Sequence, residues 1–228
     1  MGNELMRVEL VSMTESRVIK DDKRLTPEEH IVYCARVSNP ENQLNIETSA
    51  GLLRYCIQHK HWSIFAQIDF AVEIKTSRAI AAQILRHKSA DFQEFSQRYS
   101  SIQKFENVEL RKQGKTNRQV GDEEFDPAIS NSTGEWAASG MINDHINDSC
   151  KLYNQLIDKG VARECARMVL PLCTETTMYM KNSVRNWIHY IELRTNQDTQ
   201  KEHRAVANEI KAIFIRELPI IAEALEWE

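Results

Sequence analysis

Residues 67–98, QIDFAVEIKTSRAIAAQILRHKSADFQEFSQR, hold the change of pattern on which the fold turns. In the first nine, Ile68, Phe70, Val72 and Ile74 alternate with Asp69, Ala71, Glu73 and Lys75. Successive strand side chains point to opposite faces, so this period of two predicts a half-buried β-strand over 67–75. A helix is expected from about 77 to 86, and residues 88–100 read as an extended, polar segment.

Upstream, a first strand is expected at 8–12. A helix should follow over about 27–37, because Thr26 can cap it, Pro27 suits its first position and Glu29 completes a capping box. A second helix is expected over 48–59, with Leu52, Leu53 and Cys56 on one face. Downstream, Gly114, Gly121, Pro127 and the run NSTG mark 103–135 as loops inserted into one domain that spans 1–228. A long helix should run from 134 to 159, a shorter one from 162 to 170 before Pro171, and a strand over 174–181. Helices at 184–194 and 199–225 close the chain, the last bent at Pro219.

The 228 residues suffice for a substantial core, and the composition is that of an ordinary globular protein. A net charge of −4 supplies no overall basic field, so no nucleic-acid partner is expected and any phosphate site must be local. No apolar run reaches membrane-spanning length and the first residues carry no signal-peptide core, so a cytoplasmic protein without a membrane partner is expected. Cys34, Cys56, Cys150, Cys165 and Cys173 are odd in number and widely spaced, which argues against a disulfide framework and against a zinc site; no metal is expected.

Three groups of residues could carry chemistry. In the first, Gln83 and Arg86 lie three apart on one helix face, followed by His87 and Lys88. Glu94, Ser96 and Arg98 alternate, so in an extended segment they would point the same way. A helix end followed by such a segment can focus an amide, two guanidiniums, a hydroxyl and a carboxylate on one volume. That set suits a nucleotide, with Ser96 and Arg98 on a phosphate and Gln83 on a base or sugar edge. The same cations would equally complement a helix C-terminus. The second group is Arg163, Arg167, Arg185, His189 and Arg194. Arg167 sits inside the apolar stretch CARMVL and needs an anionic or carbonyl partner, which an interface salt bridge would also supply. The third is His61, Trp62, Ser63, Ile64 and Phe65, where His61 reads more readily as structural than catalytic. No glycine-rich phosphate loop is present, so a dinucleotide would not be held by a strand–turn–helix fingerprint.

In this order, the groups resemble the flavin-dependent thymidylate synthase family. Its signature, Arg-His-Arg, seven residues, then Ser, reads here Arg86-His87-Lys88, seven residues, then Ser96, flanked by Gln83, Glu94, Arg98, Tyr99 and Ser100. A second block is seen as GVARECARMVLP over 160–171, and a third as VRNWIHYIELR over 184–194. Ala35-Arg36-Val37-Ser38 and the 61–65 block also fit, so the match spans roughly 30–215. Three positions depart from the pattern. Lys88 replaces an arginine and loses its planar fork, Ala66-Gln67 replaces Glu-His, and Ser183 stands where relatives often place Asn.

The resemblance implies an α+β fold, with a central mixed or antiparallel sheet and long helices of the thymidylate synthase-complementing protein type. It implies reductive methylation of deoxyuridylate (dUMP) to dTMP, with methylenetetrahydrofolate as carbon donor and NADPH-reduced FAD as hydride source. Gln83, Arg86, Glu94, Phe95, Ser96, Gln97, Arg98, Arg167 and Arg194 would bind dUMP, with Arg167 reaching in from a neighbouring subunit of a homotetramer. Ser63, Arg86, His87, Lys88, Glu94, Ser183, Arg185 and His189 would contact FAD. Arg194 would be catalytic, stabilising negative charge on the pyrimidine without an enzyme nucleophile. Two alternatives keep the fold: a flavin-dependent pyrimidine nucleotide hydroxymethylase, and a nucleotide-binding relative with impaired turnover.

Overall fold

The alternating stretch becomes one of the two inner strands of a four-stranded sheet in the computed structural model, which describes residues 6–99, 104–117, 120–132 and 134–227. The sheet strands are β1 (Arg7–Met13), β2 (Asp69–Ser77), β3 (Asp91–Glu94) and β4 (Glu175–Ser183), in the order β1-β2-β4-β3 and antiparallel throughout. Register matches the apolar pattern. Phe70 lies opposite Asn182, Val72 opposite Met180 and Ile74 opposite Met178, and all six are buried. A one-residue slip would turn Glu73 and Lys75 into the core, so the pairing is strongly specified. β1 carries a bulge between Leu10 and Ser12, which turns Val11 outward.

Helices cover the apolar face of the sheet. They are α1 (Pro27–Ala35), α2 (Ser49–Gln58), α3 (Arg78–Ile84), α6 (Val184–Arg194), α7 (Lys201–Glu217) and α8 (Pro219–Ala224), whereas α4 (Ala138–Asp158) and α5 (Arg163–Ala166) pack on each other outside the core. The capping box at Thr26 and Glu29 forms as the spacing predicts, a device worth about 1 kcal/mol. Trp187 of α6 stacks on Phe70, with ring centroids 4.7 Å apart, and donates its indole N–H to the Phe70 carbonyl at 3.1 Å. That bond satisfies the one polar atom of a fully buried aromatic side chain and ties α6 to the middle of the sheet. The buried Glu28 carboxylate accepts the Ile221 amide in the first turn of α8, at 2.8 Å. No helix among the described residues is long and apolar enough to cross a membrane.

Several boundaries differ from the sequence expectation. The segment read as loops holds two short hairpins, 111–113 with 121–124 and 128–131 with 134–137. Pairing in the second delays α4 until Ala138. The last helix does not bend at Pro219 but breaks there into α7 and α8, because proline cannot donate the bond that would continue the helix. The polar segment forms a strand only over Asp91–Glu94. Residues 97–99 form a turn, closed by the Tyr99 amide donating to the Ser96 carbonyl at 3.2 Å. Glu94, Ser96 and Arg98 therefore do not project in parallel, since the turn breaks the period of two.

Candidate functional site

Helix α6 starts directly from the end of β4, with Ser183 as its N-cap accepting the Asn186 amide at 3.4 Å. Asn186 donates in turn to the Ser89 carbonyl at 3.0 Å, which ties the segment after α3 to the first turn of α6. His87 is thereby brought beside α6. Its ring lies 6.0 Å from that of His189 and 5.1 Å, edge-on, from that of Tyr190. Two of the sequence groups, 70 or more residues apart in places, thus meet at one surface.

Beneath that surface is a buried polar group. The Tyr190 hydroxyl and His203 Nε2 share a hydrogen bond of 3.0 Å, and both residues are fully enclosed. Burial raises the Tyr190 pKa, against the pull of Arg194. Burial, then the positive charges of Arg194 and His87, lower that of His203 to about 4. His87 is lowered as well, by burial first and then by Arg194 and His189. Both imidazoles therefore stand neutral around the Arg194 guanidinium at neutral pH. Three atoms here are buried without a hydrogen-bond partner: His87 Nε2, His203 Nδ1 and Arg194 Nε. Orphaned polar atoms converging on one place mark either a cost in stability or a ligand's position.

Glu94 is held from inside the protein. Arg78, in the first turn of α3, donates to Glu94 Oε1 and to the Phe95 carbonyl, both at 2.9 Å, and Thr176 of β4 donates to the same Oε1 at 3.0 Å. Only Oε2 remains for an external partner. Gln83 is half-buried and donates from Nε2 to Gln200 Oε1 at 2.6 Å. Gln97 is buried, whereas Phe95 and Ser96 are half-buried. Arg98 is exposed and pairs with Glu164 at 3.3 Å, so the 160–171 block approaches the signature segment within one chain. Arg98, Tyr99, Ala162, Arg163 and Glu164 line a shallow pocket of about 180 Å³ there. Ser63 lies exposed in the 3₁₀ turn Trp62–Ala66.

The cations show the strongest electrostatic signal. Among the described residues Arg86, Lys88, Arg167, Arg185 and Arg194 make no ion pair and no side-chain hydrogen bond. Exposed cations without an ion pair also occur elsewhere in this chain, Lys60 and Lys159 among them, so what distinguishes Arg86, Lys88 and Arg194 is their gathering about His87. That arrangement about a neutral imidazole suits an anionic ligand with hydrogen-bonding edges.

The sequence reading missed Arg78, Tyr190, Gln200 and His203. His203 left a signal, since it falls on the same stripe of α7 as Val206, Ala207 and Ile210 and so had to face the core. Arg78 left none, because its partner lies across a strand pair. Cys165 is exposed and Cys173 lies in a turn, while Cys56 is buried.

Fold and site together define an α+β protein with a local cationic surface beside neutral histidines. Comparison with known proteins narrows this class. The family model of the thymidylate synthase complementing proteins matches residues 19–220. The chain is 49% identical over 223 residues to a probable flavin-dependent thymidylate synthase of Paramecium bursaria Chlorella virus 1, covering 97% of this chain and all of that one. It is 46% identical over 222 residues to the flavin-dependent thymidylate synthase of a Synechocystis strain, again 97% of this chain and all of the relative. In fold it is similar to a UMP/dUMP methylase, PolB, of Streptomyces cacaoi, solved with 5-Br dUMP, at a TM-score of 0.75 and 23% identity over 97% of this chain and 94% of that one. The chain belongs to the flavin-dependent thymidylate synthase family.

Proposed function

We propose that this protein methylates dUMP at carbon-5, as a flavin-dependent thymidylate synthase, using FAD, NADPH and methylenetetrahydrofolate. The observation that carries the reading is the set of unpaired cations, Arg86, Lys88, Arg185 and Arg194, around the neutral, partnerless His87. Names borne by relatives at 46–49% identity supply the product and the flavin, and the UMP/dUMP methylase of similar fold suggests the substrate.

The residues present fit both ligands. Arg86, Lys88, Arg185 and His189 are exposed at the start of α6, where they would meet the phosphates of FAD, with Ser63, Ser183 and Glu94 Oε2 at its edges. His87 would give its partnerless Nε2 to the same ligand. Bound FAD would supply a hydride after reduction by NADPH. The dUMP phosphate falls to Ser96 and Arg98, with Arg98 exchanging Glu164 for the stronger, doubly charged partner. Gln83, Phe95, Gln97 and Arg167 complete the dUMP site, Arg167 from a neighbouring subunit of a homotetramer.

Carbon-5 of uracil becomes reactive when electron density is pushed towards it. Arg194, half-buried and unpaired, stabilises the negative charge that then develops on the ring, and its low-dielectric position makes the interaction stronger than in water. Since His87 and His203 are neutral, that guanidinium carries the charge of the buried His87–Tyr190–His203 group. No cysteine is needed as nucleophile. The whole chain is read as one catalytic domain of the cytoplasm, with residues 103–135 as an added segment.

The test is an absorbance experiment. Purified protein should take up FAD, and the reduced flavin should be reoxidised, without air, only when dUMP and methylenetetrahydrofolate are both present. Product analysis with dUMP, UMP and dCMP then separates thymidylate synthesis from hydroxymethylation or another base preference. Failure to load FAD at high concentration overturns the reading.

A further inference from the structure

A polar relay runs from the first hairpin of the 103–135 segment to Gln83, and its donors and acceptors can be ordered without ambiguity. It begins at the Glu202 carboxylate in the first turn of α7. Arg111, from the strand Arg111–Gln113, donates to Glu202 Oε1 at 2.6 Å, and Gln200 Nε2 donates to Glu202 Oε2 at 2.8 Å. Arg111 is further held by Glu109 at 3.2 Å, and its side chain is only 12% exposed. An ionised carboxylate accepts only, so the amide nitrogen of Gln200 must face Glu202. Its carbonyl oxygen must then face Gln83, and this is the 2.6 Å contact observed. Gln83 can meet that oxygen only with its own NH₂. The amide orientation at Gln83 is thus dictated by a carboxylate two residues removed along the relay, and Gln83 Oε1 has no partner among the described residues.

We propose that Gln83 offers its carbonyl oxygen to the nucleotide, and that Arg111, Glu202 and Gln200 are the positioning residues that turn this oxygen outward. The proposal rests on the reading above that Gln83 faces dUMP. It assigns a role to the added hairpin, which reaches the substrate through three side chains without touching it. The ligand group selected is a hydrogen-bond donor. In dUMP that is either the imide N–H of the base or the sugar 3′-hydroxyl. Cytosine carries an acceptor in place of the imide N–H, and a dideoxynucleotide lacks the hydroxyl.

The test is equilibrium binding by calorimetry to the full-length, FAD-loaded protein, with dUMP, dCMP and the 2′,3′-dideoxy analogue of dUMP. Wild type should bind dUMP about tenfold more tightly than the analogue that lacks the matching donor. Which analogue that is identifies the group. In Glu202→Gln the relay can reverse, because the new amide can donate, and the preference should shrink to about twofold or less. Gln200→Met, which leaves the Arg111–Glu202 pair in place, should lose the preference in the same way and serves if Glu202→Gln does not fold. A merely structural role would weaken all three nucleotides alike and leave their ratios unchanged. Ratios equal to wild type in a folded variant overturn the proposal. Absence of dUMP binding to the wild type would instead overturn the functional reading on which it rests.

Discussion

Mild acid should destabilise this protein through His203, and by an amount that the structure fixes. The imidazole is 1% exposed, on the core-facing stripe of α7. Burial first, then Arg194 and His87, hold its pKa near 4 against an ordinary 6.5. Because the folded value is the lower one, the unfolded chain takes up the proton first as pH falls. The stability tied to the neutral ring is complete above about pH 6.5 and is lost on the way down to about pH 4. At about 1.4 kcal/mol per pH unit, the whole window corresponds to about 3 kcal/mol, and a measurement at about pH 4.5 should register about 2.5 kcal/mol of it. That is a large share of the roughly 5–15 kcal/mol that domains possess. His87, also lowered by burial, contributes in the same direction, and lowered carboxylates such as Glu109 and Asp126 add losses at more acid pH. A wild-type titration therefore does not isolate His203. His203→Gln does, since its amide still pairs with the Tyr190 hydroxyl and does not titrate. Urea unfolding of both proteins, at one protein concentration and at about pH 7 and about pH 4.5, gives the difference between their acid losses. Wild type should lose about 2–3 kcal/mol more than the variant. Equal losses would refute the reasoning that a buried neutral imidazole sits under Arg194.

Three further outcomes are expected. Arg194→Ala should cut the maximal rate at saturating dUMP by about a hundred- to a thousandfold while FAD remains bound, whereas Arg98→Ala should chiefly raise the dUMP concentration needed, as steady-state titrations will show. Arg78→Met should cost about 2 kcal/mol in urea unfolding and weaken dUMP binding, because Glu94 and the Phe95 carbonyl lose their shared donor. Single replacement of Cys34, Cys56, Cys150, Cys165 or Cys173 by serine or alanine should leave turnover intact. Loss of turnover in one folded variant that still binds dUMP would identify a nucleophile.

The amino-acid sequence alone determined the elements whose signals are local. The alternation at 68–74 specified the central strand and its buried face, and Thr26, Pro27 and Glu29 specified the start of α1, because both effects act within a few residues. The spacing from Arg86 to Ser96 and the blocks at 160–171 and 184–194 sufficed to place the chain in its family. Tertiary structure decided what depends on partners distant in sequence. It broke the expected parallel projection of Glu94, Ser96 and Arg98 with a turn, and it committed Glu94 to Arg78 across a strand pair. It also set His203 under Arg194 and ran the relay from Arg111 to Gln83. Apart from the short turn, each rests on at least one contact between residues nine or more positions apart, or on a burial that lowers a pKa. Beyond the apolar stripe that turns His203 inward, such contacts leave no periodic trace in the chain, because the energy of a charge or an orphaned donor depends on what folding places beside it.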